Sequence, residues 1–334
     1  YRLIHGVFAF EDRLHGVVLL GPDGAVVRHW PVTQEDVDWE HRSDNNVVPH
    51  GMAVTRNGSL ILAFDAGTSL RRLSWCGARE WVVMGGFHHS VDLNEDGVLW
   101  TWGQVIRDRP YGRFMIQLDP DTGEVLRQIR LEDIIDANPD IDIFGIRQDD
   151  GNRESRFQED AWHANDLEAL PASLAARYPG FEAGDLVSSY RSLDLVFVMD
   201  PDTLRVKWWR QGLVRRQHDP DFNARGTISI YDNNMHRGMS RIVDIDPVTY
   251  AHRTVVAGED HDFYSWRRGK HQELPDGGWL VTSTEQGRVF EVGPDGEIRF
   301  EFLNVYDDER FLPVSQADWL PADWFRDLPD CSVP

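Results

Sequence analysis

The chain of 334 residues carries a net charge of −22, and 41% of its residues are hydrophobic. The negative far field repels phosphate, which argues against wholesale binding of nucleic acid. No apolar run approaches the ~20 residues that a spanning helix needs, so we expect no membrane span. The length allows one large domain or two ordinary ones, and the aromatic, β-branched composition favours strands.

The start of the chain and its two cysteines bear on processing and redox state. The chain begins at Tyr1 instead of methionine. We therefore expect a processed chain, exported to the periplasm or the extracellular space, or anchored through a preceding segment. Cys76 and Cys331 do not have the spacing of a metal site. They form one disulfide if the protein is exported, or they remain two thiols.

Six strand–turn–strand units recur along the chain. The first turns at Pro22-Asp23-Gly24, where proline presets φ and glycine accepts a positive φ. The units span residues 17–27, 70–82, 114–123, 195–202, 242–247 and 290–296. Their spacing of about 45 residues is typical of a propeller blade. The sequence therefore predicts an all-β fold, a six-bladed β-propeller with four-stranded blades. A seven-bladed ring with one degenerate blade is the alternative.

One interval between turns is longer, about 80 residues, and predicts a long insertion at approximately residues 131–184. Within it, the aspartate-rich run 133–160 is interpreted as a solvated loop, and 170–178 is the one fair helix candidate. We expect residues 1–310 to form the propeller domain. The tail, residues 311–334, is expected to pack on the propeller or to close it, because the N-terminal blade is incomplete in the sequence pattern.

Four histidines occupy the same position of a second repeated phrase. They are His50, His89, His163 and His218. Each is followed four residues later by an apolar residue, and a fifth copy has Lys270 at this position. In a propeller, equivalent positions at the start of the first strand of each blade face the axis at one end of the central channel. The four imidazoles are therefore expected to converge.

Cationic side chains are expected near the same end of the channel. Arg191 follows the strand 185–190, which is the predicted hairpin partner of the His163 phrase. Other candidates are Arg107, Arg215, Arg216, Arg237, Arg268 and Lys270. Neutral imidazoles beside a guanidinium suit a small anion with several oxygens. Arginine binds such an anion with two hydrogen bonds, and histidine can donate, accept or attack.

Several phrases resemble the arylsulfotransferase family. They are residues 87–93 (FHHSVDL), 162–166 (WHAND), 186–191 (LVSSYR), 216–222 (RQHDPDF) and 226–233 (GTISIYDN). The match runs through roughly residues 50–300 in family order. Members of this family are six-bladed propellers that move a sulfuryl group from an aryl sulfate to a phenol. They use no nucleotide cofactor (PAPS), and the group passes through a sulfohistidine in a ping-pong reaction.

The resemblance implies roles for individual residues. His218 is the implied nucleophile, and His89, His163 and Arg191 match the positions that hold and polarise the sulfuryl oxygens. Six further residues are predicted to bind substrate: His50, His88, Asn165, Gln217, Asn233 and Lys270. The predicted partners are small molecules, an aryl sulfate donor and a phenolic acceptor. No cofactor and no metal is predicted.

Two other classes of function fit part of the pattern. Converging histidines could ligate a divalent metal, as in propeller polysaccharide lyases. The chain could also be a non-catalytic binding propeller, because propellers often bind proteins on one face. Arg191 favours an anion over a metal cation.

The remaining ionisable residues of the phrases receive structural interpretations. Asp92, Asp166 and Asp221 each stand third after a histidine and are interpreted as turn caps. The histidines outside the register are interpreted as surface or loop residues: His5, His15, His29, His41, His236, His252 and His261.

Overall fold

The computed structural model describes residues 1–8, 14–32, 48–65, 67, 69–104, 114–145 and 162–332. These residues form six antiparallel sheets of four strands each, and the sheets are the blades of a ring. The predicted six-bladed β-propeller with four-stranded blades is therefore confirmed. Two residues singled out in the sequence, His41 and Arg107, lie outside the described residues.

The strands follow one another blade by blade along the chain. Blade 1 begins with β1 (Arg2–Phe8), β2 (Leu14–Leu20) and β3 (Val26–Val32), and blade 2 contains β4 (Val48–Val54), β5 (Leu60–Asp65), β6 (Ser69–Leu73) and β7 (Arg79–Met84). Blade 3 contains β8 (Gly86–Leu93), β9 (Leu99–Gln104), β10 (Phe114–Leu118) and β11 (Val125–Arg130). Blade 4 contains β12 (Ala164–Ala169), β13 (Leu186–Tyr190), β14 (Leu195–Met199) and β15 (Val206–Gln211).

The last two blades and the closing strand complete the ring. Blade 5 contains β16 (His218–Phe222), β17 (Ile228–Asp232), β18 (Arg241–Ile245) and β19 (His252–Ala257). Blade 6 contains β20 (Lys270–Glu273), β21 (Trp279–Ser283), β22 (Arg288–Val292) and β23 (Ile298–Leu303). The final strand, β24 (Val314–Trp319), pairs with β1 and is the fourth strand of blade 1.

One strand of each blade lines the central channel. These inner strands are β4, β8, β12, β16, β20 and β24, and each contacts the inner strands of the two neighbouring blades. The ring is closed where β24 lies between β20 and β4. At this closure the two ends of the described chain meet, since the amino group of Tyr1 donates to the Leu320 carbonyl at 2.9 Å.

The hydrophobic core is divided among the six interfaces between blades. Six clusters of buried side chains lie there, one between each pair of neighbouring sheets. In β14, Phe197 faces blade 3 while Val196 and Val198 face blade 5. Side chains alternate between the two faces of a strand, and both faces of a blade are covered. A blade strand therefore reads as an unbroken apolar run, as in 195–199.

The described part of the longer interval contains helical segments, and residues 146–161, most of the aspartate-rich run, lie outside the described residues. A helix spans Leu131–Ala137 and buries Leu131 and Ile134, so the interpretation of 133–160 as a solvated loop is wrong for its first residues. The helix candidate at 170–178 forms a single helical turn, Ala172–Ala175, because Pro179 and Gly180 follow closely. Among the described residues, no helix is both long enough and apolar enough to span a membrane.

One histidine outside the register is misassigned by the sequence interpretation. His5 is fully buried in β1, and its ring lies edge-on to Phe64 with 5.5 Å between the ring centroids. Burial lowers the pKa of His5 to about 3, because a buried imidazolium loses its hydration. His5 is therefore a neutral core residue and not a surface residue.

A disulfide ties the C-terminal tail to blade 2. Cys76 and Cys331 are bonded, with 5.3 Å between their Cα atoms and 255 residues between them in sequence. Of the two alternatives left open by the sequence, the structure contains the disulfide. It fastens the segment that follows β24, the strand at which the ring closes.

We expect the Cys331→Ser variant to be less stable than the wild type, because the unfolded chain regains the freedom that a very long closed loop had lost. The entropic estimate for such a loop is about 5 kcal/mol. Thermal unfolding under non-reducing conditions measures the loss, and the reduced wild type should melt with the variant. Equal melting of the variant and the oxidised wild type would contradict a stabilising role for this bond.

Candidate active site

The register of histidines is accompanied by β-bulges in the inner strands. The pairing of four inner strands shifts between Pro49 and Met52, His88 and Val91, Ala164 and Asp166, and His218 and Pro220. Each histidine of the register lies within or beside one of these bulges. A bulge twists the strand locally and can re-aim a side chain. In contrast, β20 pairs without a shift from Lys270 onward.

The four imidazoles lie together at one end of the channel. His89 is at the centre of the group, with ring centroids 4.1 Å from His50, 5.2 Å from His163 and 6.2 Å from His218. Three of the rings, those of His50, His89 and His218, belong to buried residues. The arrangement places several exchangeable ring nitrogens around one small volume.

The backbone around these histidines is held in the left-handed region. His89 has φ 63°, His163 has φ 49° and Asp219 has φ 54°, a conformation that costs a non-glycine residue roughly 1 kcal/mol or more. Gly51 allows β4 to approach β8, since a Cβ there would lie 2.7 Å from the His89 carbonyl oxygen. Such strain is retained where the surrounding structure fixes it, and it clusters at functional sites.

The hydrogen bonds of His218 fix its tautomer. Asn233 donates from Nδ2 to the carbonyl oxygens of Ser265 (2.7 Å) and Arg268 (2.6 Å), so its Oδ1 is the atom that faces His218. His218 Nδ1 lies 2.7 Å from that oxygen and must carry the proton, because an amide oxygen only accepts. Nε2 then holds a lone pair, to which the backbone N–H of Arg268 donates at 3.2 Å.

The surroundings also keep His218 neutral. Burial lowers the pKa of His218 well below its ordinary value, and the nearby positive charge of Arg191 lowers it further, against the opposing effect of the Asn233 hydrogen bond. Burial likewise lowers the pKa values of His50 and His89. A neutral imidazole is the form that can act as a nucleophile, and its Nε2 lone pair becomes available once the Arg268 N–H releases it.

Arg191 is positioned by the same strand pairing as His163. It begins a short 3-10 helix, Arg191–Leu193, directly after β13, and its backbone N–H donates to the His163 carbonyl at 3.0 Å. Its side chain lies close enough to His218 to lower the pKa of that imidazole. The backbone of Arg191 therefore lies beside that of His163, at the same end of the channel as the imidazoles.

Two of the other predicted cations are used in structural contacts. Arg215 Nε donates to the Met235 carbonyl at 3.0 Å, and Arg216 Nη1 donates to Ser192 Oγ at 3.2 Å. Arg237 is exposed. Arg268 contributes its backbone N–H to His218, as described above, and it has φ 58°. The next residue, Gly269, has φ 108°, and a Cβ there would lie 2.5 Å from the Tyr231 ring.

Two of the residues predicted to bind substrate, His88 and Gln217, make contacts within the protein. His88 is buried, and its Nδ1 lies 2.6 Å from Nδ1 of His89, so one ring of this pair must carry a proton there. Gln217 donates from Nε2 to Ser189 Oγ and to the Leu195 carbonyl, both at 2.9 Å. Its side chain therefore ties β16 to blade 4 and does not face the histidines.

Asn165 lies among the histidines, and one of its two side-chain polar atoms has no hydrogen-bond partner among the described residues. Its Nδ2 donates to the Gln217 carbonyl at 2.7 Å, and its Oδ1 is buried without a hydrogen-bond partner among the described residues. A buried unpaired acceptor costs about 1–3 kcal/mol. Asn165 is therefore better suited to interact with a donor on a bound molecule, such as a phenolic hydroxyl, than with an anion.

Lys270 lies between two acids, Asp166 and Asp219, and the sequence interpretation had assigned Asp166 as a turn cap. Its Nζ donates to Asp166 at 2.9 Å and to Asp219 at 2.6 Å, and these two charges hold the pKa of Lys270 above its ordinary value despite burial. Burial raises the pKa of Asp166 to about 6. For Asp219, burial is outweighed by Lys270 and His271, and its pKa falls to about 2.

The turn-cap interpretation of the three aspartates is therefore wrong. Asp166 forms an ion pair with Lys270, Asp92 accepts a hydrogen bond from the Ala169 N–H at 3.1 Å, and Asp221 lies 3.7 Å from His271 Nε2. All three belong to inner strands and line the channel. Their recurrence at the third position after a histidine could have predicted that they line the channel. A residue three positions along a strand normally faces the opposite side, but an intervening bulge returns it to the side of the histidine.

The space between the histidines is small. A cavity of about 10 Å³ lies between His50, His89, Asn165, Asp166, His218, Arg268, Gly269, Lys270 and Ser315. This corresponds to about one water molecule. The side chains around His218 must therefore move apart before a ligand larger than water can occupy this cavity.

Among the described residues, one group of three potential metal ligands has its ligand atoms within 4.8 Å of one another. It consists of Asp219, Asp221 and His271, and the four histidines of the register do not form such a group. In that group His271 Nδ1 already lies 3.0 Å from Asp219, and His271 Nε2 lies 2.6 Å from Ser229 Oγ. The axial histidines are thus arranged around a volume and not around a single coordination point.

We expect Asn233→Asp to raise the pKa of His218, because a carboxylate beside Nδ1 stabilises the imidazolium. If His218 attacks a sulfate ester, as the sequence resemblance implies, the attacking ring is neutral, so the rate falls as pH falls through the His218 pKa. The acid limb of the wild type should lie well below pH 6.5, and the limb of the variant should lie higher. Single-turnover rates with 4-nitrophenyl sulfate measure both limbs.

Asn233→Ala provides the matched comparison. It removes the tautomer restraint without adding charge, so we expect a single-turnover rate about 10²-fold lower with no upward shift of the acid limb. Identical pH profiles for the wild type and Asn233→Asp would contradict the assignment of Asn233 to the His218 tautomer. Thermal unfolding of both variants shows whether the anchoring bonds to Ser265 and Arg268 are needed for folding.

Comparison with known proteins places the chain in context. A family model described as Arylsulfotransferase (ASST) matches residues 51–305. No curated protein matches the chain. A solved structure of a protein of unknown function from Bacteroides caccae is 12% identical, with a TM-score of 0.61, over 95% of this chain and 97% of that chain. A nidogen/laminin complex is 9% identical, with a TM-score of 0.54, over the same shares of the two chains. At these identities the two structures show the propeller fold alone.

Proposed function

Because the chain belongs to the arylsulfotransferase (ASST) family, we propose that it moves a sulfuryl group from an aryl sulfate to a phenolic acceptor through a covalent intermediate on His218. The observation that carries this proposal is the state of His218. Its Nδ1 proton is fixed by Asn233, burial and Arg191 keep the ring neutral, and its Nε2 lone pair lies at the end of the channel where the other histidines meet.

In the first half-reaction, His218 Nε2 attacks sulfur while the bond from sulfur to the aryl oxygen breaks. His163 gives a proton to the departing phenolate, because burial holds His50 and His89 in the neutral form. Charge on the sulfuryl oxygens is stabilised by Arg191, by N–H groups of His89 and His163, and by the backbone N–H of Arg268. Sulfuryl transfer has a loose transition state, by analogy with phosphoryl transfer, so the protein contributes mainly positioning and electrostatic stabilisation.

In the second half-reaction, the acceptor phenol returns a proton to the same histidine and attacks sulfur. The nitrogen–sulfur bond breaks, and its electron pair returns to His218 Nε2. Before the transfer, the buried Oδ1 of Asn165 accepts the hydrogen bond of the incoming phenolic hydroxyl and orients it, and that hydrogen then passes to the histidine. Each proton and each bond is restored after one cycle, so the reaction needs no nucleotide and no redox partner.

Steady-state kinetics test this proposal. The donor is 4-nitrophenyl sulfate, the acceptor is phenol, and release of 4-nitrophenol is followed at several concentrations of each. A covalent intermediate predicts parallel double-reciprocal lines. Intersecting lines would indicate a ternary complex without an intermediate. Release that disappears with EDTA and returns with a divalent metal would instead favour the metal-dependent alternative.

A further inference from the structure

A second cavity lies at the other end of the same channel. Its volume is about 650 Å³, in the range of small-molecule sites. All six inner strands line it, mainly with the residues that follow the histidine positions. Asp166 and Lys270 line both this cavity and the small histidine cavity. The ion pair of Lys270 with Asp166 and Asp219 therefore forms a partition between the two, and we call the larger space the distal cavity.

The described walls of the distal cavity carry more carboxyl groups than basic side chains. The carboxylates that line it are Asp92, Asp166, Glu168, Asp219, Asp221, Glu273 and Asp318. Lys270 is the one lysine or arginine among the described lining residues, and it forms ion pairs with Asp166 and Asp219. Glu273 is paired with Arg225 at 2.7 Å. Four acids remain without a lysine or arginine partner among the described residues of the wall.

Three of these acids lie on neighbouring blades and act on one another. Burial raises the pKa of Asp92 to about 7. Burial followed by repulsion from Asp92 raises that of Glu168, and burial followed by repulsion from Asp219 and Glu168 raises that of Asp221. Each of these groups therefore becomes easier to ionise when a cation enters. Asp92 and Glu168 each use one oxygen to accept a backbone N–H from the next blade.

An independent feature of the wall also indicates a ligand. Ser90 lines the distal cavity and is 3% exposed, yet its Oγ has no hydrogen-bond partner among the described residues. Its hydroxyl can accept a hydrogen bond from a bound donor. Apolar surface completes the wall, from Phe222, Trp319 and Trp324, and aromatic faces are favourable partners for ammonium groups.

We propose that the distal cavity binds a small organic cation with more than one ammonium group, a linear polyamine being the simplest example. The ammonium groups pair with Asp92, Glu168 and Asp221, and the methylene chain lies against the aromatic wall. A bare metal ion fits less well, because a metal needs its oxygen ligands around one point. Of these three acids, only Asp221 belongs to a converging group among the described residues, with Asp219 and His271, while Asp92 and Glu168 do not.

Calorimetric titration of the full chain with spermidine at pH 7.5 and fixed ionic strength tests the proposal, with thermal unfolding as a second readout. We expect one site per chain and a higher unfolding temperature in the presence of spermidine. Glu168→Gln and Asp221→Asn should each weaken binding at least about tenfold. Both variants should fold, because each removes a repelled charge. Glu124→Gln, which removes an exposed acid outside the cavity, should bind like the wild type.

Other outcomes overturn the proposal. Absence of saturable spermidine binding to the wild type does so, as does equal binding by the wild type, Glu168→Gln and Asp221→Asn. Stoichiometric binding of Ca²⁺ or Mg²⁺ that displaces spermidine would make the distal cavity a metal site. The His218→Asn protein should bind spermidine like the wild type, so this result does not depend on sulfuryl transfer.

Discussion

Replacing His218 by asparagine is expected to reduce release of 4-nitrophenol from 4-nitrophenyl sulfate by about 10⁴-fold or more, as loss of a covalent nucleophile does. The amide side chain is similar in size to imidazole, but it offers no basic lone pair to attack sulfur. Neighbouring imidazoles remain in place, so binding of the ester should persist. The loss is therefore expected in kcat, measured by initial rates with phenol at saturation.

The exposed His236 provides a matched control. His236→Asn changes the same chemical group on the surface, and its rate should equal that of the wild type. A His218→Asn protein that folds, as judged by thermal unfolding, and still turns over within tenfold of the wild type would remove His218 from the chemistry. Attack by another axial histidine or by water would then have to be considered.

Arg191→Ala is expected to lower kcat/KM by about 10³-fold, the order found when one arginine that stabilises a group-transfer transition state is lost. The structure also predicts a change in the pH dependence of this variant. The charge of Arg191 lowers the pKa of His218, so its removal should raise that pKa. The acid limb of the single-turnover rate should therefore move to higher pH.

Arg191→Lys separates charge from geometry. Lysine restores a positive charge and should return the acid limb toward its wild-type position, but it cannot form the two parallel hydrogen bonds of a guanidinium. We expect its rate to stay well below that of the wild type. Arg237→Ala is the control, because Arg237 is exposed. An Arg191→Ala protein with the rate and pH profile of the wild type would place Arg191 outside the site.

The sequence predicts the propeller well because the fold is repetitive. Each blade repeats a turn such as Pro22-Asp23-Gly24 and an apolar run such as residues 195–199, and both have local physical causes. The histidine register is predictable for the same reason. Once the blades are equivalent, His89, His163 and His218 must occupy equivalent places around one axis.

The details of the site depend on contacts between blades, which the sequence pattern does not encode. Asn233 was expected to bind substrate, but its two bonds to backbone carbonyls direct its oxygen to His218. Gln217 adjoins the nucleophile in sequence and yet turns toward blade 4. Lys270 replaces the histidine of its blade, and only the closed ring shows that it lies against Asp166 and Asp219.

Two further features of the structure could not be predicted from neighbouring residues in the sequence. The bond between Cys76 and Cys331 joins residues 255 positions apart, and their spacing in the chain carries no information about pairing. His5 is buried because β24 covers β1 from the other end of the chain. Both follow from how the ring closes, which is a tertiary and not a local property.

The most direct test of the account is the mass of the protein after it has met a donor without an acceptor. Wild-type protein is mixed with 4-nitrophenyl sulfate, quenched at alkaline pH because a nitrogen–sulfur bond is acid-labile, and measured intact and after proteolysis. We predict the mass of one sulfuryl group on the peptide that contains His218, lost again when phenol is added. Turnover without that mass, or the mass on a different residue, would contradict His218 as the nucleophile.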